Sequence, residues 1–552
     1  MFEGANNPDF GDAIPLNMIV EIPDENKMTE LTINCSRGFR YVRYVGPNNV
    51  RCNIAEIEFY GYASSGDNSK LSQITNLPSV IIHTVDAENV IEKEKYLKGI
   101  ISIISNNGET IYTDSTEIKG RGNASWGFPK KPYRLKLYNK TNVLGLPAKE
   151  KNWTLINNYG DKTLMRNFLA FDLSERFELG YTSAIKFVNV FLNGEYKGCY
   201  QLCDQMEVAD KRVEVEKMTD QDVTLPNLSG GYLLEIDAYA YSELSWFESN
   251  RYVPVTVKYP KDDEIVPAQY DYIKNWFNTM ETALFSSDFK NPETGYRKYM
   301  DMETFIRHFL VGEMSGNTDT YWSVYMYKKR NNDMFYFGPV WDFDIAFEND
   351  ERTYPINNNP NWIYASTGSY ANGMRVMVNR LFSDTEFVNQ LESTYAQYRD
   401  TEVISEQALL DVINNTAELL DESQKLNFTR WNIMNAKVHQ NPVAHGSYAA
   451  EVENVRQYVK GRIAWMDNKL NYTTTSIKEE SLKNISVWTN NNIINISGIT
   501  TPSKVEIMNI DGKILFTKMV SEDDVNISFP KGFYIVRISD SKGQSKAVKC
   551  LL

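Results

Sequence analysis

Cysteine and histidine are scarce in this 552-residue chain. The five cysteines, Cys35, Cys52, Cys199, Cys203 and Cys550, include no C-x-x-C, and the four histidines are scattered, so the spacing of a zinc site is missing. A pairing of Cys35 with Cys52 is left open by the sequence. No run approaches eighteen uninterrupted apolar residues, which excludes a helical membrane span. Basic residues are not in excess: the formal charge is −14, which speaks against a broad nucleic-acid surface. Neither G-x-G-x-x-G nor G-x-x-x-x-G-K-[ST] is present, so any nucleotide phosphates are held by side chains more than by a glycine-rich flap. The opening MFEGANNPDF lacks the basic start and apolar run of a signal peptide. Either the protein is cytosolic or its gene encodes a leader ahead of Met1. What is present is an ordinary globular balance, 42% hydrophobic and 24% charged, with length for three or four domains. Aromatic residues reach 13%, a level common in extracellular β-rich and glycan-handling proteins.

The chain is organised around 315–348, SGNTDTYWSVYMYKKRNNDMFYFGPVWDFDIAFE. A helix from Asp301 to about Met314 precedes it. Asp301 can cap that helix, Glu303 suits its first-turn dipole, and Met302, Phe305, Ile306, Phe309 and Leu310 repeat at helical spacing. Ser315-Gly316-Asn317 stops the helix and leaves Asp319 on a loop. Val324–Lys329 and Met334–Phe337 read as paired strands around Asn331-Asn332-Asp333, and Gly338-Pro339 ends the second. Asp342 and Asp344 follow. In an extended segment they point to the same side, roughly 7 Å apart at about 3.3 Å per residue. Loop acid, hairpin, acid is the order of a kinase active site: a base, then a magnesium-binding Asp. Magnesium prefers carboxylate oxygens and keeps several waters, so one or two Asp suffice. Turn and cap duty is the commoner fate of a single Asp, and the residues alone leave that reading open.

GNTD and GPVWDFDIAF resemble the CotH family, the spore-coat protein kinases with an atypical, reduced kinase fold. The upstream stretches IKGRGNASWGFPKKPYRLKLYN (118–139) and NYGDKTLMRN resemble the same family, and CDQMEV (203–208) is similar to its hinge, with Glu207 as the acidic residue. The resemblance covers roughly Leu77 to Leu470. It implies an α+β, two-lobed atypical kinase-like domain: a β-rich N-lobe at about 77–262 and a helical C-lobe at about 263–472. It also implies ATP and magnesium. Asp319 is then the catalytic base, Asp342 and Asp344 the metal ligands, and Arg121, Arg134, Lys136, Arg166 and Glu207 the nucleotide- and phosphate-binding set. Arg134 and Lys136 share one face of a strand whose other face is Tyr133, Leu135 and Leu137. Cations of this kind suit polyphosphate, and a solvated strand face is the plain alternative. The family resembles GNTD followed by an Asn five residues after the Asp; here that position is Val324, which offers no ligand.

Within the same stretch, Asp161 is expected to cap a helix running to about Glu178, and Asn193-Gly194 to turn a hairpin between 187–192 and 198–202. Helices are expected at 268–285, 373–382, 404–420 and 448–470, and a surface loop at 355–373. Residues 1–62 form a small β unit with strands at 38–45 and 54–60. RYVRYVGPNNVRCNIAEIEFYGY resembles the last strands of a discoidin-type domain, and a β-ornament on the next domain is the alternative. Residues 63–76 read as a linker. Residues 483–552 read as a seven-strand β-sandwich, with hairpin turns at Asp511-Gly512 and Lys542-Gly543. VEIMNIDGKILF and GFYIVRISDSKGQSKAVKC resemble the C-terminal sorting domains of type IX secretion in Bacteroidetes. The combined expectation is a secreted or cell-surface protein kinase that transfers the ATP γ-phosphate to protein hydroxyls. A non-catalytic surface glycan binder or adhesin on a pseudokinase scaffold is the alternative. Glycoside hydrolysis by paired carboxylates leaves the cations unexplained. Expected partners are a protein substrate or surface glycan, with no nucleic acid.

Overall fold

The computed structural model describes residues 1–10, 13–19, 22–33, 38–46, 54–62, 75–356, 360–366, 372–473, 485–490, 492–499, 502–509, 513–521, 525–540 and 545–552. Cys35, Cys52, most of the 63–76 linker and the turns at Asp511-Gly512 and Lys542-Gly543 lie outside these residues. The described chain is mixed α+β and falls into two compact units, Met1–Asn471 and Tyr472–Leu552.

The first unit begins with a three-stranded antiparallel sheet of β1 (Phe2–Ala5), β2 (Ile14–Asn17) and β3 (Tyr41–Tyr44), in the order β2-β1-β3. Ile14 and Leu16 are buried against Phe191, Tyr196 and Leu426, so this sheet is fastened to the body of the unit. The expected strand at 54–60 does not form. Ile57 and Phe59 alternate about Glu58, yet Ile54, Ile57, Phe59 and Tyr60 are all exposed and no described strand pairs with them.

Seven strands then close into a barrel: β4 (Ser79–Thr84), β5 (Leu97–Ile104), β6 (Thr110–Gly120), β7 (Tyr133–Thr141), β8 (Glu150–Ile156), β9 (Ile185–Leu192) and β10 (Glu195–Asp204). Neighbours are antiparallel except β4 and β9, which run parallel, Ser79 opposite Asn189. Period-two alternation sends Tyr133, Leu135 and Leu137 inward with Val80, Ile82, Ile101, Trp153 and Val190. Each such side chain contributes about 1.5–3 kcal/mol by leaving water. The β9–β10 turn has Asn193 at φ 53 and Gly194 at φ 77, the two left-handed residues of a tight hairpin. Helix α1 (Arg166–Arg176) lies between β8 and β9. Asp161 serves its start from five residues upstream, accepting from the Arg166 amide at 2.7 Å.

The second half of this unit is not purely helical. A five-stranded sheet, β12-β13-β11-β14-β15, joins β11 (Tyr232–Asp237), β12 (Trp246–Glu248) and β13 (Pro254–Tyr259) to β14 (Ser323–Lys328) and β15 (Phe335–Phe337). It thus takes strands from both sides of position 262. The β14–β15 hairpin pairs Met326 with Phe337 and Lys328 with Phe335. Helices α2 (Pro267–Phe285) and α3 (Met302–Ser315) come before that hairpin. After it come α4 (Ile363–Ser366), α5 (Asn372–Leu381), α6 (Thr385–Asp400), α7 (Glu406–Leu419), α8 (Asp421–Arg430) and α9 (Tyr448–Lys469). In the described part of 355–373, Trp362, Ile363 and Tyr364 are buried rather than looped into solvent, with Trp362 and Tyr364 against Phe309 of α3.

Helix α3 fixes the exit point of the central stretch. The Thr304 amide donates to Asp301 Oδ1 at 2.8 Å at its start, and Gly316 at φ 66 terminates it. Near its end the wholly buried Glu313 meets Arg462 of α9 at 3.0 Å. Glu313 also accepts from the Ile363 amide at 2.7 Å and from the Tyr321 hydroxyl at 2.5 Å.

The second unit holds β16 (Ser486–Asn490), β17 (Ile493–Ser497), β18 (Ser503–Met508), β19 (Ile514–Val520), β20 (Val525–Ser528), β21 (Phe533–Asp540) and β22 (Ser545–Leu551). They form sheets β16-β17-β20 and β19-β18-β21-β22 around a core that includes Ile494, Ile496, Val505, Ile507, Val536 and Ile538.

Candidate functional site

Asp319 sits in a short 3-10 turn, Thr318–Tyr321, directly after α3. Asn317 joins this turn to the second acidic segment. Its Oδ1 accepts from the Asp319 amide at 3.3 Å, and its Nδ2 donates to the Asp342 carbonyl at 3.1 Å. The 341–344 segment is not the extended strand its sequence suggests. The sheet ends at Phe337, and Asp342 adopts φ 67. A left-handed backbone at a non-glycine residue costs about 1–2 kcal/mol and persists only where the surroundings impose it. Those surroundings are specific. The Phe343 amide donates to Asn167 Oδ1 at 2.8 Å. Asn349 Nδ2 donates to the Asp344 carbonyl at 2.8 Å, and Arg166 Nε donates to the Ala346 carbonyl at 2.9 Å.

The carboxylates themselves are left free. Among the described residues, neither Asp342 nor Asp344 makes a side-chain hydrogen bond or ion pair with another residue. Both are pushed up to about 7, first by desolvation. Asp344 and Asp319 add to the effect at Asp342, and Asp161 and Asp319 at Asp344. Asp342 is nonetheless exposed by surface area, so solvent touches it although protein atoms crowd around it. Its electrostatic cost is accordingly screened. Arg121 faces Asp342. Burial lowers the guanidinium pKa, the Asp342 charge pulls it back up, and the group lies 5.6 Å over the Trp341 ring. Asp342 is therefore within electrostatic reach of Asp319, Asp344 and Arg121.

The other expected cations divide. Arg134 is close enough to Arg121 to depress its pKa, and its Nε is buried without a hydrogen-bond partner. Lys136, two residues further along β7, pairs with Glu117 at 3.1 Å with half its side chain exposed. Lys130 is buried and donates to the Cys199 carbonyl at 2.6 Å and to Asn427 at 2.7 Å, and Lys131 donates to the Trp126 carbonyl. Arg166 is 1% exposed and bonded to Asp161 at 2.6 Å, so it supports the Asp344 loop from beneath. Glu207 is occupied by Arg212 and Asn152. Val324 is fully buried opposite Ile236 in the β14–β11 pair.

Three residues at the site went unnoticed in the sequence. Arg352 Nη2 donates to Asp319 Oδ1 at 2.9 Å, and the same guanidinium is held by the buried Asp350. His439 faces the acids: burial lowers its pKa while Asp342, Asp319 and Asp350 raise it. The signal for the first two was the D-x-R spacing of Asp350 and Arg352 just beyond the acids. His439 is brought in from far along the chain, its ring 5.1 Å from that of Phe128.

Among the described residues, no group of three or more His, Cys, Asp and Glu is placed to hold a metal ion by itself. Two free carboxylates, both raised in pKa by burial and by neighbouring carboxylates, are a different arrangement. They suit a hard divalent cation that takes its remaining oxygens from phosphate and water.

No helix of the described residues is long and apolar enough to cross a membrane. No curated protein matches the chain. Among solved structures, there is a partial likeness to PorZ, an essential bacterial surface component of the type IX secretion system of Porphyromonas gingivalis. Identity is 19%, over 14% of this chain and 13% of that one, with a TM-score of 0.13. The chain thus spans about an eighth of PorZ, too little to carry an argument. The family described as CotH kinase protein matches residues 118–466, which takes in Arg121, the three acids, Arg352 and His439. The chain belongs to the CotH kinase protein family.

Proposed function

We propose that this protein is an atypical protein kinase that transfers the γ-phosphate of ATP to protein hydroxyls with a divalent cation, magnesium by its chemistry. The observation that carries this reading is the pair Asp342 and Asp344. Among the described residues neither carboxylate has a side-chain partner, and burial and neighbouring carboxylates raise both pKa values. Asp342 and Asp344 would hold the cation, whose chemical contribution is positive charge on the phosphate oxygens. Arg121 offsets charge on the transferring group, with Arg134 behind it. Asp319 accepts the proton of the acceptor hydroxyl. As the new oxygen–phosphorus bond forms, the bond from the γ-phosphorus to the bridging oxygen breaks and its electron pair leaves on ADP. Val324 is buried in the β14–β11 pair and supplies no ligand, so the scheme uses a single cation.

The test is thermal stabilisation by ATP with and without magnesium, followed by transfer of labelled phosphate to dephosphorylated casein. Stabilisation that needs magnesium and is lost in Asp342→Asn is the expected result. ATP binding indifferent to magnesium, or unchanged in Asp342→Asn, removes the metal role. Surface or secreted placement is part of the same proposal. It is supported by the resemblance of residues 483–552 to sorting domains and by their compactness as a separate unit. Cell fractionation that finds only a cytoplasmic pool overturns it.

A further inference from the structure

We infer that Arg352, aimed by Asp350, is a positioning residue that fixes which oxygen of Asp319 faces the acceptor hydroxyl; the inference rests on the phosphotransfer reading above. Asp350 is 1% exposed, and its carboxylate grips Arg352 at several points. The Arg352 Nε lies 2.9 Å from each Asp350 oxygen, Nη2 lies 2.7 Å from Oδ2, and the Arg352 amide donates to Oδ1 at 2.9 Å. A planar guanidinium held this way at one edge has little freedom left. Its Nη2 continues to Asp319 Oδ1 at 2.9 Å. The Asp319 amide is held separately by Asn317. Among the described residues, nothing donates to Asp319 Oδ2, and about a third of the side chain is exposed. One oxygen is thus committed to Arg352 and the other is available to a hydroxyl proton.

In the step this serves, the acceptor O–H gives its proton to Asp319 Oδ2. The oxygen lone pair forms the bond to the γ-phosphorus of ATP, and the bond to the bridging oxygen breaks with its pair leaving on ADP. Arg352 touches none of these atoms and acts only through Asp319. The competing explanation is that Arg352 exists to neutralise the buried Asp350, with Asp319 an incidental neighbour. The Arg352–Asp319 pair, about a third exposed on both sides, is a weak contributor to stability, so the two explanations differ in what they predict for turnover.

The experiment compares full-length wild type, Arg352→Gln and Arg352→Lys in steady-state transfer from Mg-ATP to dephosphorylated casein, per folded molecule. Positioning predicts that Arg352→Gln lowers kcat by about tenfold to a hundredfold, within the usual reach of acid–base catalysis. KM for ATP should stay within about twofold, because uniform binding is untouched. Arg352→Lys keeps the charge but cannot bridge both carboxylates, so it should recover only part of kcat. An unchanged kcat in Arg352→Gln, or full recovery in Arg352→Lys, overturns the inference. If wild type itself transfers no phosphate, the phosphotransfer reading falls, and crystal structures of wild type and Arg352→Gln decide the positioning alone. Asp319 turned or split between orientations only in the variant supports it; one unchanged orientation in both refutes it.

Discussion

Replacing Asp342 with Asn should make the metal-free protein more stable at pH 8 and leave it nearly unchanged at pH 4. The Asp342 carboxyl is raised from 3.8 to about 7 in the folded chain, by burial first and then by Asp344 and Asp319. A raised acid pKa means that the folded state binds the proton more tightly than the unfolded state, so stability falls as pH rises. The loss begins near pH 4, where the unfolded carboxyl ionises, and is complete above pH 7. At about 1.4 kcal/mol per pKa step the ceiling is about 4 kcal/mol. Because Asp342 is exposed by area, solvent screening reduces this to about 1 kcal/mol. Asn keeps the tolerance for a left-handed backbone that φ 67 demands, so the substitution removes charge without adding strain. The assay is urea denaturation of both proteins from pH 4 to pH 8, read as the difference in unfolding free energy at each pH. The difference should grow with pH in favour of the variant, and saturating Mg-ATP at pH 8 should reverse its sign. A difference that is flat with pH, or a variant less stable at pH 8 without metal, refutes the reasoning.

Arg166→Leu should cost about 3–5 kcal/mol, because it leaves the buried Asp161 charge uncompensated; a loss under about 1 kcal/mol in chemical denaturation contradicts a buried clamp. Lys136→Ala should change stability by less than about 1 kcal/mol and leave ATP affinity intact, since its partner is Glu117 at the surface. A tenfold weaker affinity by calorimetry, about 1.4 kcal/mol, would return Lys136 to the phosphate site. Trp153→Ala should cost about 3–5 kcal/mol, as expected when a large side chain is removed from the barrel interior; differential scanning calorimetry would show it as a lower Tm.

The parts legible in the sequence were those with a local signal. The β14–β15 hairpin announced itself by alternation around Asn331-Asn332-Asp333, and α3 by its apolar spacing and the Asp301 cap. The closing of the barrel left no such trace. It depends on β4 lying parallel to β9 and on β10 pairing with β8, contacts between segments far apart in sequence. Helix α8 escaped because its buried face is polar, carrying Ser423, Gln424 and Asn427 beside Leu426. Helix α6 carried a readable spacing in Phe387, Leu391, Tyr395 and Tyr398 that was not assigned. The alternation at 54–60 misled in the other direction: periodicity reports a face, and a strand also needs a partner. At the site, the acids were legible as residue types in a familiar order. Which cations face them was not, because Lys130, Arg134 and Lys136 differ only in what the fold brings beside them.

The backbone around the acids explains how their repulsion is tolerated. A mobile loop would swing Asp342 and Asp344 apart and regain solvation. Here every route for that motion is tied: the Asp342 carbonyl to Asn317, the Asp344 carbonyl to Asn349, the Ala346 carbonyl to Arg166 and the Phe343 amide to Asn167. Asn349 is tied in turn to Asn441 at 2.9 Å, and both donate to the Gly160 carbonyl. These bonds use main-chain groups and buried amides and leave the carboxylate oxygens untouched. Side-chain partners for the acids would have relieved the repulsion and lowered both pKa values. The left-handed turn at Asp342 has the same logic, because it aims a charged side chain where an extended backbone would not. The repulsion is relieved either by a proton, which is why both pKa values are raised, or by a positive group nearby.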